Sequence, residues 1–431
     1  MATLPNLVIS QLSSTRLWGT VALLIAAALL WRALPVDLAF THGHPWDAIM
    51  DWYGARAFWF GKDPYTKSYL NALGHDVFGH PPTTPFWYLW LAPVPRDYLK
   101  PIIDYTMLTV LIVQFVLIAR ELRFPAPLPT AALLFAATLS TTWIQYHLNV
   151  AQISEFIAFA YLLAWLFLRR GRDVAAGITL GLACTLKLFP GLLVLLLFAT
   201  RRYRAFFAAG AAYGSIAVLM TARFGIHSWF EFLREEKYLA DVWTAHIQNA
   251  SLHGIVLRAF VPICIVRNPT IPAATRIATG IAVMLAIAFF LLSRRAAQRA
   301  ETIDLPFALF ATLSAFANPY MFEHYNTLLV LPLLLASVAW WQAVKNGLGR
   351  IGALFGGATV LVILWLLSID GVLKVGYLIA RGRTRRIHVL LHLYEVLNWL
   401  PAVLIMALLV GLLVWWHRRG GLKLDGLGAR C

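Results

Sequence analysis

The residues of this chain that can do chemistry fall in a few short polar stretches between long apolar runs. The first is His42-Gly-His-Pro-Trp-Asp47, which follows the first apolar run. Asp47 has three readings: an N-cap for a helix starting near Ala48, a general base that takes a proton from a hydroxyl, or a metal ligand beside His42, His44 and Asp51. His-x-His with one following Asp is a weak metal signal, so neither a metal nor another cofactor is expected. Lys187 lies within an apolar run, where a lysine costs about 2.5–3.5 kcal/mol on insertion scales. It either snorkels to the interface or meets an anion inside the bundle, and a lipid-linked phosphate is the natural anion there. Glu323-His324-Tyr325 follows Asn318-Pro319 at the end of another run. His324 suits a hydrogen bond to a phosphate or protonation of a departing one, and Tyr325 fits a membrane-interface aromatic equally well. Asn249-Ala-Ser251 with Arg258 offers amide, hydroxyl and guanidinium groups to a sugar or phosphate, and Asn149 and Gln152 close a further polar stretch.

The elements that must position these groups are membrane helices. The 431 residues are 60% hydrophobic and 13% charged, with a mean hydropathy of +0.70, whereas soluble domains carry roughly 25% charged residues. The net charge of +16 does not indicate a nucleic-acid partner. Its arginines cluster between apolar runs, at Arg120/Arg123, Arg169-Arg170-Gly-Arg172, Arg201-Arg202-Tyr-Arg204, Arg294-Arg295 and Arg418-Arg419, as cytoplasmic topology signals do. The three cysteines form no C-x-x-C pair, which argues against a disulfide framework or zinc site. The expected fold is all-α: a single integral membrane domain over 1–431 with about 12 transmembrane helices and short amphipathic helices in the outer loops. Crossings are expected near 17–36, 101–119, 127–145, 154–168, 205–222, 275–292, 305–317, 327–341, 351–368 and 399–416. Two more, both short, meet near Lys187-Leu-Phe-Pro190, where the proline ends a helix.

With Arg16 inside, this threading leaves both termini cytoplasmic and the chain multi-pass in a bacterial plasma membrane. It also puts Asp47, Asn149/Gln152, Asn249/Ser251 and Asn318/Glu323/His324 on one side, facing the periplasm or exterior. The Trp229–Trp243 stretch reads as amphipathic and aromatic on that same side. The basic run Arg381-Gly-Arg383-Thr-Arg385-Arg386 breaks the pattern, either by holding anionic lipid headgroups or because the last spans are shifted.

At this point the chain resembles glycosyltransferase family 87, the polyprenyl-phosphate-mannose-type transferases of the GT-C superfamily. The likeness is carried by Asp47, Trp52-Tyr53-Gly54-Ala55, Gly61-Lys-Asp-Pro-Tyr65, His80-Pro81-Pro82, Asn149-Val-Ala-Gln152, Ala176-Gly177 to Gly181, Lys187-Leu-Phe-Pro190, Asn249-Ala-Ser251 to Arg258, and Asn318-Pro319 to Glu323-His324-Tyr325. It runs from about 17 to 340 and leaves 351–417 as C-terminal spans. The chain departs from the family pattern at His80, where an aromatic is usual, at Glu323, and at Ala151-Gln152-Ile153, where Gly-Gln-x-Asn is common.

The resemblance implies a hexose, mannose in the family's type, moved with inversion from a polyprenyl-phosphate donor to a glycan or glycolipid hydroxyl. It makes Asp47 the base and His324 a second catalytic group. Lys187, Arg258, Asn249, Ser251, Gln152, Asn149, Glu323, Tyr325, His80 and Tyr65 would surround donor and acceptor. A transporter or lipid-linked-sugar flippase is the competing class, because it also shows broken helices and an intramembrane lysine. Repeat symmetry between halves and mid-membrane polar groups, which that class predicts, are not evident.

Overall fold

The computed structural model describes residues 14–31, 45–66, 78–261, 271–297, 303–368 and 387–419. Among these, every regular element is helical and no β-strand forms. Apolar segments that leave water must satisfy their backbone N–H and C=O groups internally, and a helix does so within one segment.

Among the described residues, seven helices are long and apolar enough to cross a membrane: Ser14–Trp31, Arg96–Glu121, Tyr203–Phe224, Pro272–Arg295, Glu323–Lys345, Arg350–Leu367 and Tyr394–Arg418. An eighth forms if Pro127–Leu139 and Trp143–Val150, bent by 76°, count as one span. The other expected crossings fall on shorter helices, at Ser154–Arg169, Asp173–Leu186, Gly191–Ala199 and Asp304–Ala317. Length and composition thus support seven or eight crossings among the described residues and do not confirm all twelve. Asp304–Ala317 shows why: residues 304–316 are all buried. A helix sheathed by other helices need not match the bilayer thickness by itself. The outer helices behave oppositely, leaving Trp31 78% and Ile351 85% exposed, as a lipid-facing surface requires.

Two features set the position of Lys187. Gly177 and Gly181 stand one helical turn apart against Tyr203–Phe224. A Cβ at either would lie 2.0 or 2.3 Å from the carbonyl oxygen of Ala205 or Ala209. Only glycine permits this approach, the small-residue packing favoured between membrane helices. Asp173–Leu186 then stops at Lys187, whose extended backbone (φ −150°, ψ 151°) leads through Pro190 into Gly191–Ala199. The two short helices expected around Lys187-Leu-Phe-Pro190 are thus present.

Candidate active site

We label the helix Trp46–Phe60 α1; it carries the first acidic group. Pro45 is its N-cap, and Asp47 sits within the first turn, where the helix dipole favours negative charge. The half-buried Asp47 carboxylate accepts a hydrogen bond from the Gln152 side-chain amide. Gln152 is itself fixed because its Oε1 accepts from Ile153 N at 2.8 Å. The turn that presents Gln152 requires Ala151 at φ 53°, ψ 54°, a left-handed conformation costly for a residue with a Cβ.

One turn along α1, Asp51 is fully buried and pairs with Nδ1 of the buried His80. The Tyr65 hydroxyl donates to the His80 carbonyl at 2.6 Å, and Phe78 packs edge-on against both rings. Tyr65 therefore supports His80 from behind. The following 3-10 segment, Thr84–Leu91, is clamped to α1 by Trp52 and Trp59, whose indoles donate to Leu91 O and Leu89 O at 2.9 and 3.0 Å.

The same segment reaches the helix that ends at Lys187. Thr83 Oγ1 donates to Thr185 O at 2.8 Å and Thr84 Oγ1 to Leu186 O at 2.9 Å. A helix C-terminus leaves its last carbonyls unpaired, and these two hydroxyls satisfy them. Trp87 adds a 2.8 Å bond to Thr185 Oγ1. His80 and Lys187, more than one hundred residues apart, are thus held in a fixed relation by threonines that carry no motif.

These elements enclose a cavity of about 710 Å³. Its wall includes Asp47, His80, Tyr146, Gln152, Lys187, Glu236, Trp243, Asn318, Phe322, His324 and Tyr325. Lys187 Nζ donates to the Tyr325 hydroxyl at 2.8 Å and lies 5.4 Å from that ring's centroid. It forms no ion pair among the described residues, so its charge faces the cavity with only a phenol as partner. His324 is buried between Tyr146 and Phe322, each ring 5.9 Å away at 24° to it. Burial pushes the Asp47 carboxyl above the ordinary carboxylate range, while Lys187 and then His80 pull it back. Glu236, on the helix His227–Trp243, is raised in the same way, with Lys187 again the first opposing influence. The sequence reading missed Glu236; its position four residues after Phe232 and seven before Trp243 in an amphipathic stretch was the available signal.

The structure places other expected residues outside the cavity. Asn249 is fully buried: Nδ2 donates to Pro319 O at 2.7 Å, and Oδ1 accepts from Met321 N at 2.9 Å and Ser251 N at 3.0 Å. Ser251 donates to Pro319 O at 2.9 Å and caps the helix Leu252–Arg258 through Gly254 N at 3.0 Å. Each Arg258 guanidinium nitrogen has a partner: Glu395, the His246 carbonyl and the Asn249 carbonyl. Asn249 and Ser251 scaffold the irregular chain Asn318–Phe322, whose buried backbone groups need partners, and Arg258 holds the Asn249 carbonyl behind them. Glu323 accepts from the Tyr394 hydroxyl, and Asn149 is exposed outside the cavity lining. The C-terminal helix Ile387–Arg418 thereby supports the site through Tyr394 and Glu395. Among the described residues no group of three His, Cys, Asp or Glu side chains is arranged to hold a metal. His42, His44 and the run Arg381–Arg386 lie outside the described residues.

Together the wall offers a carboxylate held by an amide, a cation without a carboxylate partner, a histidine, and aromatic surface. This combination suits proton removal from a hydroxyl beside an anionic leaving group. The model of glycosyltransferase family 87 matches residues 78–302, more than half of the 431-residue chain. That region contains His80, Gln152, Lys187 and Glu236, while Asp47 and His324 flank it. No curated protein and no solved structure matches the chain. The helical membrane architecture and the family match lead to one conclusion: the chain belongs to glycosyltransferase family 87 and is a membrane glycosyltransferase.

Proposed function

We propose that this protein transfers a hexose, mannose by family resemblance, from a polyprenyl-phosphate donor to a hydroxyl of a glycan or glycolipid. The reaction takes place in the Asp47–Lys187 cavity, on the periplasmic or outer side of a bacterial plasma membrane. One observation carries this reading: a half-buried carboxylate and a cation without a carboxylate partner line the same cavity.

Asp47 takes the proton of the acceptor hydroxyl as that oxygen bonds to the anomeric carbon. The bond between that carbon and the phosphate oxygen breaks, and its electron pair leaves with the polyprenyl phosphate. Lys187, oriented by the Tyr325 hydroxyl, neutralises the charge on that phosphate, a fixed cation in a water-poor site. Gln152 holds Asp47 in place. His324 lines the same wall, and a ring N–H of its imidazole donates a hydrogen bond to the phosphate oxygens. Attack opposite the leaving phosphate inverts the anomeric carbon, so a β-linked donor yields an α-glycoside. A second, apolar cavity of about 330 Å³, lined by Trp87, Trp90, Phe156, Phe159, Leu182 and Leu186, begins one residue before Lys187 and suits an isoprenoid chain.

The test uses purified protein in lipid nanodiscs, radiolabelled polyprenyl-phosphate mannose and extracted envelope glycolipids. Label passes into a more polar product with release of polyprenyl phosphate. Transfer from a nucleotide sugar alone, or no transfer from any polyprenyl-phosphate sugar, overturns the reading.

A further inference from the structure

One face of the helix His227–Trp243 has no role in the chemistry above. Phe232, Leu233, Glu236, Leu239 and Trp243 all line the cavity, and their spacing of three and four residues puts them on a single stripe. The helix is fixed at its start and in the middle. His227 pairs with Asp63 at 2.9 Å, Trp229 donates to Thr221 Oγ1 at 2.8 Å, and the Tyr320 hydroxyl donates to the Glu236 carbonyl at 2.9 Å.

Two side chains on that stripe are unusual for a cavity wall. Glu236 is a half-buried carboxylate that makes no ion pair among the described residues. Trp243 is held nearly perpendicular to Phe322, 5.8 Å away, and against His246 at 5.3 Å, yet remains 40% exposed. Phe322 in turn stacks on His324, so the wall runs continuously from Trp243 to the reacting end of the cavity.

We propose that this stripe is an acceptor subsite for a sugar ring, with Glu236 accepting hydrogen bonds from neighbouring ring hydroxyls and Trp243 packing on the ring's C–H face. The inference rests on the transferase reading. A half-buried carboxylate is stabilised by donors that replace lost water, and a pyranose brings several in fixed array. Its opposite face is apolar and flat, matching an indole with a polar end. An acceptor with one hydroxyl on a lipid chain or a peptide side chain adds at most one donor to the Tyr320 hydroxyl that Glu236 already has, and leaves Trp243 without a flat partner. The acceptor therefore presents a sugar to this wall, and the hydroxyl that reacts belongs to that ring.

Saturation-transfer difference NMR on the protein in lipid nanodiscs tests this, using the methyl α-pyranosides of mannose, glucose and galactose, with glycerol as an acyclic control. At least one pyranoside receives saturation on its ring C–H protons and glycerol receives none. Glu236→Gln and Trp243→Leu each weaken that binding at least fivefold, whereas Trp243→Phe, which keeps an aromatic face, recovers most of it. Wild-type helicity and elution volume verify that each variant is folded. Polyprenyl phosphate binds both weakened variants with wild-type affinity. Absence of binding by all three pyranosides overturns the inference, as does equal binding to wild type and variants. A Glu236→Gln variant changed in polyprenyl phosphate affinity alone also overturns it, because Glu236 then only balances Lys187. Sugar transfer from the labelled lipid donor is followed on the same wild-type preparation. Transfer without pyranoside binding removes this inference and leaves the proposed function, whereas pyranoside binding without transfer overturns the proposed function and leaves a sugar-binding wall that is not an acceptor subsite.

Discussion

Two polar regions of this molecule look equally capable of chemistry in the sequence, and the structure treats them differently. Around Asp47, Gln152 and Lys187, charged and amide groups face open space, and their partners are few: one amide for the acid, one phenol for the lysine. Around Asn249, Ser251 and Arg258, the side chains are buried and bond to protein, chiefly to the backbone of Asn318–Phe322 and its surroundings. The first region keeps hydrogen-bonding capacity for a ligand. The second uses its capacity to hold an irregular loop inside a helical bundle. Residue type alone does not separate a binding group from a scaffold; the count of remaining partners does.

Substitutions sharpen that contrast. The largest effect falls on Asp47→Asn, which removes the base and lowers kcat by about 10²–10⁴-fold, the usual contribution of a positioned base. Its stability moves the other way. Burial raises the folded-state value of Asp47 above the ordinary 3.8, so the folded chain binds that proton more tightly than the unfolded chain. Stability is then lost as pH rises from 3.8 through the raised value. At neutral pH Asp47→Asn is therefore at least as stable as wild type in thermal denaturation. The wild-type kcat/KM falls as pH drops through that same raised value, because only the ionised carboxylate accepts a proton.

Arg258→Met breaks the scaffold instead. It takes the Arg258 charge from the buried Glu395 and a donor from two carbonyls, at a cost of about 3–5 kcal/mol, and transfer falls only in step with the folded fraction seen by size exclusion. Lys187→Met is next. Losing a charge-assisted contact worth about 1.5–3 kcal/mol weakens polyprenyl phosphate binding by roughly 10–100-fold while the melting temperature holds or rises. A scaffold role for Lys187 would lower stability and leave phosphate affinity unchanged. The smallest effect belongs to Ala151→Gly. It relieves the left-handed backbone at φ 53° and raises stability by about 0.5–1 kcal/mol, measured by thermal denaturation, with transfer unchanged.

Much of this was legible before any coordinates. Charge content and hydropathy identify a helical membrane chain, and Lys187 stands out because a lysine in an apolar run needs a reason. Asp47, His80, Gln152, Lys187, His324 and Tyr325 were all singled out, and they meet at one cavity. The number of crossings was less legible, since hydropathy does not distinguish lipid from protein as the apolar neighbour; Asp304–Ala317 is surrounded by protein. The scaffold role of Asn249, Ser251 and Arg258 depends on Pro319, Met321 and Glu395, at least 68 residues away along the chain. The work of Thr83 and Thr84 is similarly hidden, because it consists of two bonds to the end of a helix about one hundred residues later. Glu236 is hidden among the charged residues of an amphipathic stretch, and only its spacing from Phe232 and Trp243 sets it on the inward stripe.

The central claim is that donor phosphate and acceptor proton are handled by different side chains of one cavity. Its most direct test measures polyprenyl phosphate binding and sugar transfer side by side on Asp47→Asn and Lys187→Met in nanodiscs. The account predicts a crossed result: Asp47→Asn binds the lipid phosphate like wild type and fails to transfer, whereas Lys187→Met loses phosphate affinity. Wild-type transfer rates from Asp47→Asn, or wild-type phosphate affinity in Lys187→Met, would contradict it.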